Sequence, residues 1–516
     1  YKTRKGRQMD HILFITTDEQ HYQTISGFGC QTHKTTNLDR MINNGTVYTN
    51  AFTASPLCLP SRCCWATGMS PHNNGSMSNV FGAVLSKEYP NLFNILHRGG
   101  FETSMHGKCH FIPNPYPANR KDMTLDSEHF TMYYKNLGMQ HLDLQDGKNR
   151  SMWYYDDYSK ELQEKGLLRT YRTAMHMSPE NQGVFPFPLP TECYPDIWTA
   201  EKTVAWIDGC DPKDKEFIWC SFAGPHYPVD TPSCYTERER MEQDKGRVFS
   251  PDEWDDNTKY HYSGYWGPGT TEGSGHVKDG AQKNYSESYW RNWRRCYLGN
   301  VLLIDEQVGK ILDAAERKWG DDFTVIFSSD HGEMMGNHSL WGKNGSLFDD
   351  VLHVPLIVYS PKGEHKECGQ WVSSLDVFPT IMKLAGVEAE TEGMPLDELC
   401  EKGGRDYVIS ECENSVAVKM GRYKLEWNKN SKTGVMFHEF YDLDKDPQEF
   451  QNVYKNNEYQ ETIRKMESIL EEKEKKENML STLFYTADDE TPYWFDNGKG
   501  AGLNAAVKNH MGGQSL

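Results

Sequence analysis

The chain contains short, unbroken apolar runs that end abruptly in polar side chains. Four such runs are His11–Thr17, Phe217–Phe222, Thr324–Phe327 and Val354–Tyr359. Unbroken apolar runs of this length are typical of strands that are buried on both faces, as in a parallel sheet covered by helices. Apolar residues with helical spacing lie between the runs, as at Val301, Ile304, Val308, Leu312 and Ala315. The alternation predicts an α/β fold with a large central sheet, mixed but mostly parallel, flanked by helices.

The pattern changes after Ala385-Gly386. Short strand candidates follow at Val408–Ser410, Ala417–Met420 and Tyr423–Trp427, and a charged helix is predicted over residues 458–476. We therefore predict a large α/β domain over residues 9–395. Residues 396–516 are predicted to form a smaller α+β domain with a short antiparallel sheet, followed by a tail. Two stretches of the larger domain, about 112–195 and 230–290, are rich in Tyr, Trp, Asn and Gly and are expected to be long inserted loops.

The chain is acidic, with 55 Lys and Arg residues against 74 Asp and Glu residues and a formal net charge of −19. Nucleic-acid binding needs a basic surface that neutralises phosphates, so this charge balance argues against a nucleic-acid partner. It also argues against docking on an anionic membrane surface. No apolar run approaches the roughly 20 residues that span a bilayer. We therefore expect neither nucleic acid nor a membrane among the partners.

Thirteen cysteines are scattered along the 516 residues, and none forms a Cys-x-x-Cys pair. An odd number cannot all pair within the chain, and the scattered spacing is more typical of a reducing compartment than of a secreted disulfide framework. No apolar core of a signal peptide precedes the first predicted strand. We therefore expect reduced cysteines in a cytoplasmic protein, or a periplasmic or secreted one if a signal has already been removed.

Metal-competent side chains follow two of the apolar runs. Asp18 and Glu19 follow the first run, and Asp330 and His331 follow the third. In α/β sheets the ligand site lies beyond the carboxyl ends of the strands. A hard divalent cation prefers oxygen ligands such as carboxylates. The sequence therefore favours a divalent-metal site at this edge of the sheet, with His226 nearby after the second run.

One segment carries a recognisable motif. Cys58-Leu59-Pro60-Ser61-Arg62, with Ala66-Thr67-Gly68 downstream, resembles the signature of the sulfatase family, which lies in the alkaline-phosphatase-like superfamily. The resemblance continues in the expected order through Thr36–Arg40, Gly107–His110, Gly224–Pro228, Asp330–Lys343 and Tyr441–Pro447. It implies that a formylglycine-generating maturation enzyme oxidises Cys58 to formylglycine. One hydroxyl of the hydrated aldehyde would then attack the sulfur of a sulfate ester, and the second would drive release of sulfate.

The resemblance also implies roles for other residues. The implied ligands of a Ca²⁺ or Mg²⁺ ion are Asp18, Glu19, Cys58 in its modified form, Asp330 and His331. Glu19 departs from the family pattern, which has Asp or Gln at that position, so its longer side chain must reach the ion by a different rotamer. His331 stands where many members have Asn.

The remaining implied site residues handle the sulfate and the protons. Arg62 lies one helical turn after Cys58 and would hold the hydrated aldehyde and the metal-binding carboxylates. Lys108, His226 and Lys343 would contact the sulfate oxygens, and His110 would act as the base on the second hydroxyl. Either His226 or Lys343 would protonate the leaving alcohol, a role that needs a donor within hydrogen-bonding reach. The sequence does not separate these two.

The predicted function is hydrolysis of a sulfate monoester to an alcohol and sulfate. A phosphonate or phosphate ester hydrolase would use the same site, and a non-catalytic protein that binds sulfated glycans is the alternative of another class. The Tyr- and Trp-rich insertions favour a carbohydrate sulfate. A long polyanion would meet an unfavourable field from a chain of charge −19. We therefore expect a small anionic substrate, a sulfated mono- or oligosaccharide.

Overall fold

A computed structural model of the chain describes residues 8–79, 85, 90–112, 125–126, 128–148, 151, 154–176, 183–249, 285–343, 346–413, 415–429 and 435–480. The predicted tail lies beyond these residues, as do parts of both predicted insertions.

The strands, in chain order, are β1 (His11–Asp18), β2 (Gly45–Phe52), β3 (Phe101–Gly107), β4 (Leu125–Asp126), β5 (His141–Leu144), β6 (Tyr154–Tyr155), β7 (Lys215–Pro225), β8 (Thr324–Ser329), β9 (Leu356–Tyr359), β10 (Lys366–Ser373), β11 (Val408–Cys412), β12 (Ser415–Met420), β13 (Tyr423–Lys429) and β14 (Met436–Asp442). The helices are α1 (Thr36–Asn43), α2 (Cys58–Thr67), α3 (Pro71–Asn74), α4 (Leu92–Arg98), α5 (Glu128–Asn136), α6 (Asp157–Glu164), α7 (Leu168–His176), α8 (Pro195–Gly209), α9 (Ser233–Thr236), α10 (Glu287–Trp319), α11 (Asp349–Leu352), α12 (Val377–Ala385), α13 (Leu396–Lys402) and α14 (Gln460–Glu477).

The main sheet has eight strands in the order β10-β2-β9-β8-β1-β7-β3-β5. The neighbours β8, β1, β7, β3 and β5 are parallel to one another. Strand β9 runs antiparallel to both β2 and β8. The prediction of a mixed, mostly parallel sheet is therefore confirmed, and the predicted strand near Val354–Tyr359 is the reversed one.

Helices cover both faces of this sheet. Along β1, Ile12 and Phe14 pack with α2, α4 and α12 on one face, while Leu13 and Ile15 pack with α1, α8 and α10 on the other. Successive side chains of a strand point to opposite faces, so an unbroken apolar run is what a doubly covered strand needs. Full burial of one such side chain stabilises the fold by about 1.5–3 kcal/mol.

A second, smaller sheet follows near the C-terminus. Strands β11, β12, β13 and β14 form an antiparallel sheet in sequence order. Helix α14 packs beside it and buries Ile463, Met466 and Leu470, the residues predicted to share one helical face. The predicted antiparallel sheet and helix are confirmed. Strand β14 was not among the predicted strands, since its sequence mixes apolar and charged residues.

The prediction that residues 112–195 form long loops is wrong in part. The described part of this stretch contains helices α6 and α7. These helices bury Tyr158, Leu162, Tyr171 and Met175 in the core beside α8. Apolar residues four positions apart lie on the same face of a helix, and this spacing outweighs the polar composition of the stretch.

The expectation of reduced cysteines is wrong for two of them. Cys368 on β10 and Cys400 on α13 form a disulfide, with 5.9 Å between their Cα atoms. Packing of α13 against the edge strand β10 brings together two thiols that lie 32 residues apart in sequence. Disulfides are typical of oxidising compartments, so the cysteines no longer support a cytoplasmic location. Among the described helices, none combines the length and apolarity that crossing a bilayer requires.

Candidate active site

Four neighbouring parallel strands of the main sheet, β8, β1, β7 and β3, end at the same edge. Polar side chains stand at each of these ends. They are Asp330 and His331 after β8, Asp18 and Glu19 at the end of β1, His226 after β7, and Lys108 and His110 after β3. Helix α2 begins at the same edge and contributes Cys58 and Arg62, while Lys343 comes from the loop after β8. The fold therefore gathers the predicted site residues at one edge.

Helix α2 places Cys58 at its N-terminus. Leu57 before it is extended and makes no side-chain cap, whereas Pro60 lies in the first turn, where a missing N–H group costs little. Asn79 supplies the missing cap from another segment, because its Oδ1 accepts a hydrogen bond from the Leu59 N–H at 2.9 Å. The helix N-terminus favours negative charge at this point. Cys58 is buried there, at 2 % exposure.

Asp18, Cys58, Asp330 and His331 form a compact group whose potential ligand atoms all lie within 4.8 Å of one another. The Nε2 atom of His331 is 3.2 Å from the Cys58 Sγ and 3.6 Å from an Asp330 oxygen. The Nδ1–H of His331 donates to the Gly332 carbonyl at 2.9 Å, which turns Nε2 toward the other three side chains.

This group fits a divalent cation. All four residues are buried, and the Oδ1 atom of Asp18 has no hydrogen-bond partner among the described residues. An orphaned buried carboxylate oxygen is costly unless a positive charge or a donor is present. Burial and the charge of Asp18 raise the pKa of Asp330, a crowding of negative charge that a cation would relieve.

Glu19, the fifth predicted ligand, is turned away from this group. Its backbone is left-handed, with φ of 66°, a conformation that non-glycine residues seldom adopt. Two contacts hold it there: its N–H donates to Asp330 Oδ1 at 3.0 Å, and its carbonyl accepts from the Tyr297 hydroxyl. The Glu19 carboxylate lies 3.4 Å from the Lys343 Nζ and 3.4 Å from the His226 Nε2. In this structure Glu19 is therefore an acceptor beside Lys343 and His226.

Arg62 ties three parts of the site together. Its Nε donates to Asp330 Oδ2 at 2.9 Å, and its Nη1 donates to the Ser221 hydroxyl at 2.8 Å and to the Lys108 carbonyl at 2.9 Å. The side chain is fully buried. A buried guanidinium needs a paired carboxylate, so Arg62 and Asp330 depend on each other.

Lys108, Lys343 and His226 line the site with positive or ionisable groups. Lys108 Nζ donates to the second carboxylate oxygen of Asp18. Lys343 Nζ donates to the Nε2 of His226 at 3.2 Å. The Nδ1–H of His226 donates to the Tyr227 carbonyl at 2.6 Å, so the Nε2 atom faces the site. His226 is also the more open of these residues, with a side chain that is 20 % exposed.

The charges around Cys58 favour an anion at this position. Burial alone would raise the pKa of the Cys58 thiol, but the charges of Lys108, Lys343 and His331 and a hydrogen bond from His110 hold it well below its usual value. Burial likewise opposes the charged form of His331, whereas Asp330 raises the pKa of His331 to about 9. Position 58 is therefore buried in surroundings that favour negative charge.

Asp146 was not predicted from the sequence, and it fixes the position of His110. His110 has a left-handed backbone with φ of 52°. The Oδ1 of Asp146 accepts from the Cys109 and His110 N–H groups at 3.0 and 2.8 Å, and its Oδ2 accepts from the Tyr134 hydroxyl at 3.0 Å. Asp146, like the capping Asn79, had no sequence signal, because both act through contacts between distant segments.

Replacing Asp146 by alanine is expected to lower kcat about 10–100-fold, because the turn that presents His110 loses the carboxylate oxygen that accepts from two of its N–H groups. Asp146→Asn keeps one acceptor oxygen and is expected to restore most of the activity. Tyr134→Phe removes the contact to the other oxygen and serves as the mild control. Steady-state kinetics of the three variants check this, and equal activity of Asp146→Ala and wild type would contradict the positioning role.

Lys148 supports the segment that follows His226. Its buried Nζ donates to the Pro228 carbonyl at 2.9 Å, to the Tyr194 hydroxyl at 3.0 Å, to Asp230 Oδ1 at 3.1 Å and to Asn300 Oδ1 at 3.2 Å. Lys148→Met is expected to lower the free energy of unfolding by about 3–5 kcal/mol, because the buried Asp230 carboxylate loses its positively charged partner and keeps only the Tyr194 hydroxyl. The double variant Lys148→Met/Asp230→Asn should recover part of this loss. Denaturant unfolding measures both, and a single variant as stable as wild type would refute the expectation.

The chain matches known families over most of its length. The Sulfatase family model matches residues 10–387, and the model for the C-terminal region of N-sulphoglucosamine sulphohydrolase matches residues 336–476. The chain is 25 % identical over 477 residues to an arylsulfatase of Clostridium perfringens, covering 89 % of this chain and 93 % of that protein. It is 23 % identical over 527 residues to an N-acetylglucosamine-6-O-sulfatase of Bacteroides thetaiotaomicron, covering 90 % and 86 % of the two chains.

Solved structures share the fold. The phosphonate monoester hydrolase of Agrobacterium radiobacter superposes with a TM-score of 0.69 at 20 % identity, covering 91 % of this chain and 96 % of that one. A protein solved in complex with its substrate D-glucosamine-2-N,6-O-disulfate superposes with a TM-score of 0.66 at 18 % identity, covering 94 % and 99 %. At these identities the superpositions establish the common fold.

Proposed function

The chain belongs to the sulfatase family of sulfuric ester hydrolases, and we propose that it removes sulfate from a small carbohydrate ester through a formylglycine formed at Cys58. The convergence of Cys58, Asp18, Asp330 and His331 within 4.8 Å carries this proposal. A thiol at a helix N-terminus, buried among two carboxylates, one imidazole and three cationic side chains, is suited to chemistry on an anion. We further propose that residues 9–395 form the catalytic domain, since every proposed site residue lies within them.

Two observations support a small sulfated sugar as the substrate. Among the relatives are an N-acetylglucosamine-6-O-sulfatase and a Δ4,5-hexuronate-2-O-sulfatase, both of Bacteroides thetaiotaomicron. The net charge of −19 disfavours the approach of a long polyanion, while the positive pocket at the sheet edge suits one sulfate group. Comparing desalted sulfated mono-, oligo- and polysaccharides tests this. Faster turnover of intact polymer would contradict it.

Asp18, Asp330 and His331, with the oxygen at position 58, would hold a Ca²⁺ or Mg²⁺ ion. When bound, the ion supplies positive charge to the sulfate oxygens and to the nucleophilic oxygen. Arg62 holds Asp330 in place through its bond at 2.9 Å, and its positive charge opposes the rise in the pKa of Asp330 that burial and Asp18 cause. Lys108 and Lys343 add positive charge where the three non-bridging sulfate oxygens would lie. Glu19 orients Lys343 and His226 from the far side.

His110 is the base in this proposal. Its side chain is among the groups that lower the pKa of the Cys58 thiol, so it lies close to residue 58, where a hydroxyl would be within its reach. After the alcohol has left, His110 takes the proton of the second hydroxyl, the carbonyl bond of the aldehyde re-forms, and the bond to the sulfate oxygen breaks. Asp146 holds His110 in the orientation that this proton transfer needs.

We assign the acid role to His226. Burial would lower the pKa of Lys343, but Cys58 and Glu19 raise it well above its usual value, so Lys343 keeps its proton as a fixed charge. Once the substrate sulfate binds Lys343, the Nε2 of His226 is released from its contact with Lys343 and can hold the proton that the leaving oxygen needs. His226 then gives this proton to the leaving oxygen.

His226→Ala is expected to lower kcat/KM by about 10²–10⁴-fold for an alkyl or sugar sulfate, whose leaving oxygen needs a proton. The loss should be much smaller for 4-nitrophenyl sulfate, whose leaving group departs as a stable anion. Lys343→Ala is the comparison variant, and it should impair both substrates alike. Equal losses for both substrates in His226→Ala would contradict the acid role.

Mass spectrometry of the peptide that contains residue 58 tests the proposed nucleophile. Protein from a host that has the maturation enzyme should carry an aldehyde at this position, and protein from a host that lacks it should carry a thiol and be inactive. A thiol in fully active protein would overturn the proposal. Kinetics on matched sulfate and phosphonate esters decide between a sulfatase and a phosphonate hydrolase, whose fold this chain shares.

A further inference from the structure

A second group of metal-competent side chains lies at the edge of the main sheet, outside the site described above. His141 and Asp143 are two residues apart on the edge strand β5, so both point to the same face of the sheet. His106 lies directly opposite Asp143 on the neighbouring parallel strand β3, and Ser104 lies opposite His141. Strand alternation and register therefore place two imidazoles and one carboxylate on a single surface.

The three side chains already converge on one point. The Oδ2 of Asp143 lies 2.8 Å from His106 Nδ1 and 2.9 Å from His141 Nε2. One ligand atom from each residue lies within 4.8 Å of the other two. The second ring nitrogen of His106 contacts the Ser104 hydroxyl at 3.2 Å, the kind of outer contact that orients histidine ligands in metal sites.

The three side chains are held in place by their neighbours, and two of them are open to solvent. His106 is fully buried, whereas the side chains of Asp143 and His141 are 19 % and 36 % exposed, so an ion can enter from solvent. The His141 ring stacks on Trp206 of α8 with 4.3 Å between the ring centroids, which restrains it. The nearby cation, Lys202, is paired with Glu161.

We propose that His106, His141 and Asp143 bind one divalent transition-metal ion of the zinc type, separate from the active site. A donor set in which two of three ligands are imidazoles suits zinc, whereas calcium and magnesium prefer sites in which most ligands are oxygen atoms. When the ion binds, the two ring nitrogens that face Asp143 pass their protons to the other nitrogen of the same ring or to solvent, and the ion takes their place. Three protein ligands leave a fourth position for water. The ion would fasten the edge strand β5 to β3, just before the segment that carries Asp146.

Zinc binding to the full chain tests this proposal. The protein is first saturated with Ca²⁺ and then dialysed against Zn²⁺, and bound zinc is measured by elemental mass spectrometry. Wild type should hold one more zinc per chain than His141→Ala and than Asp143→Asn, or bind it at least about tenfold more tightly. His97→Ala, which removes an exposed histidine from α4, is the matched control and should bind as wild type does.

Two further measurements, the melting temperature and the zinc content of an active-site variant, distinguish this site from the active site. Zinc should raise the melting temperature of wild type and of His97→Ala, but not that of His141→Ala. The active-site variant Asp330→Asn should keep the additional zinc. Equal zinc content in wild type, His141→Ala and Asp143→Asn would overturn the proposal. Loss of the zinc in Asp330→Asn but not in His141→Ala would also overturn it, because the ion would then lie in the active site.

Discussion

Replacing Cys58 by alanine is expected to lower kcat/KM for a sulfate ester by about 10⁴–10⁶-fold, the range seen when a nucleophile is removed. The reason is that alanine offers no atom that can be oxidised to the aldehyde, and the rest of the site then has no group with which to attack sulfur. The fold should survive, because the change removes one buried sulfur atom from the first turn of α2. Assays with a chromogenic sulfate ester and thermal unfolding of the same sample measure both quantities.

Cys63→Ala is the matched control. Cys63 is also buried on α2, but it packs in the apolar core with Trp65 and lies outside the group around Asp330. It should lose stability of the order expected for a small core deletion, about 1 kcal/mol, and keep its turnover. A Cys58→Ala protein that retains a tenth or more of wild-type activity would contradict the proposed nucleophile, provided that the Cys63→Ala control is active.

Replacing Asp330 by asparagine is expected to lower turnover by about two to four orders of magnitude. Asp330 accepts hydrogen bonds from Arg62 and from the Glu19 and His331 backbone N–H groups, and it stands in the group that we propose to bind the cation. Asparagine has a similar shape but no charge. It therefore leaves the guanidinium of Arg62 buried without its partner and removes a negatively charged ligand.

The metal dependence of activity separates these two effects. Dialysis against a chelator should abolish turnover of wild type, and Ca²⁺ or Mg²⁺ should restore it. Asp330→Asn should need a far higher concentration of the same ion. Asp305→Asn is the control. Asp305 is a buried carboxylate on α10 that accepts hydrogen bonds from two backbone N–H groups at the start of α1. Full activity of chelated wild type, or an unchanged ion requirement in Asp330→Asn, would exclude the proposed metal site.

The sequence predicted the scaffold well, for a simple physical reason. A strand that is covered on both faces must be apolar at every position, and β1, β7 and β8 meet this condition along most of their length. Strand β3 does not meet this condition, because several of its residues are polar, and the sequence therefore did not predict it. Its buried polar side chains are paired in the folded protein, as His106 is with Asp143, and such pairing is invisible in a single segment.

The site, like the sheet, was predictable from the sequence only in part. Residues at the ends of parallel strands must meet at one edge of the sheet, so Asp18, Asp330, His331 and His226 could be grouped from sequence order alone. The direction in which each side chain points could not be predicted from sequence order. Glu19 was predicted to reach the metal ligands, yet the contacts of its backbone to Asp330 and Tyr297 turn its carboxylate toward Lys343.

Local sequence therefore determined the fold class, three of the four strands that end at the site and the residue types at their ends, because burial on two faces and strand direction are properties of single segments. The tertiary structure decided what depends on two distant segments meeting. It supplied the Asn79 cap of α2, the Asp146 anchor of His110, the disulfide between Cys368 and Cys400, and the group formed by His106, His141 and Asp143. Each of these rests on a distance between atoms far apart in the chain, and such distances exist only once the chain has packed.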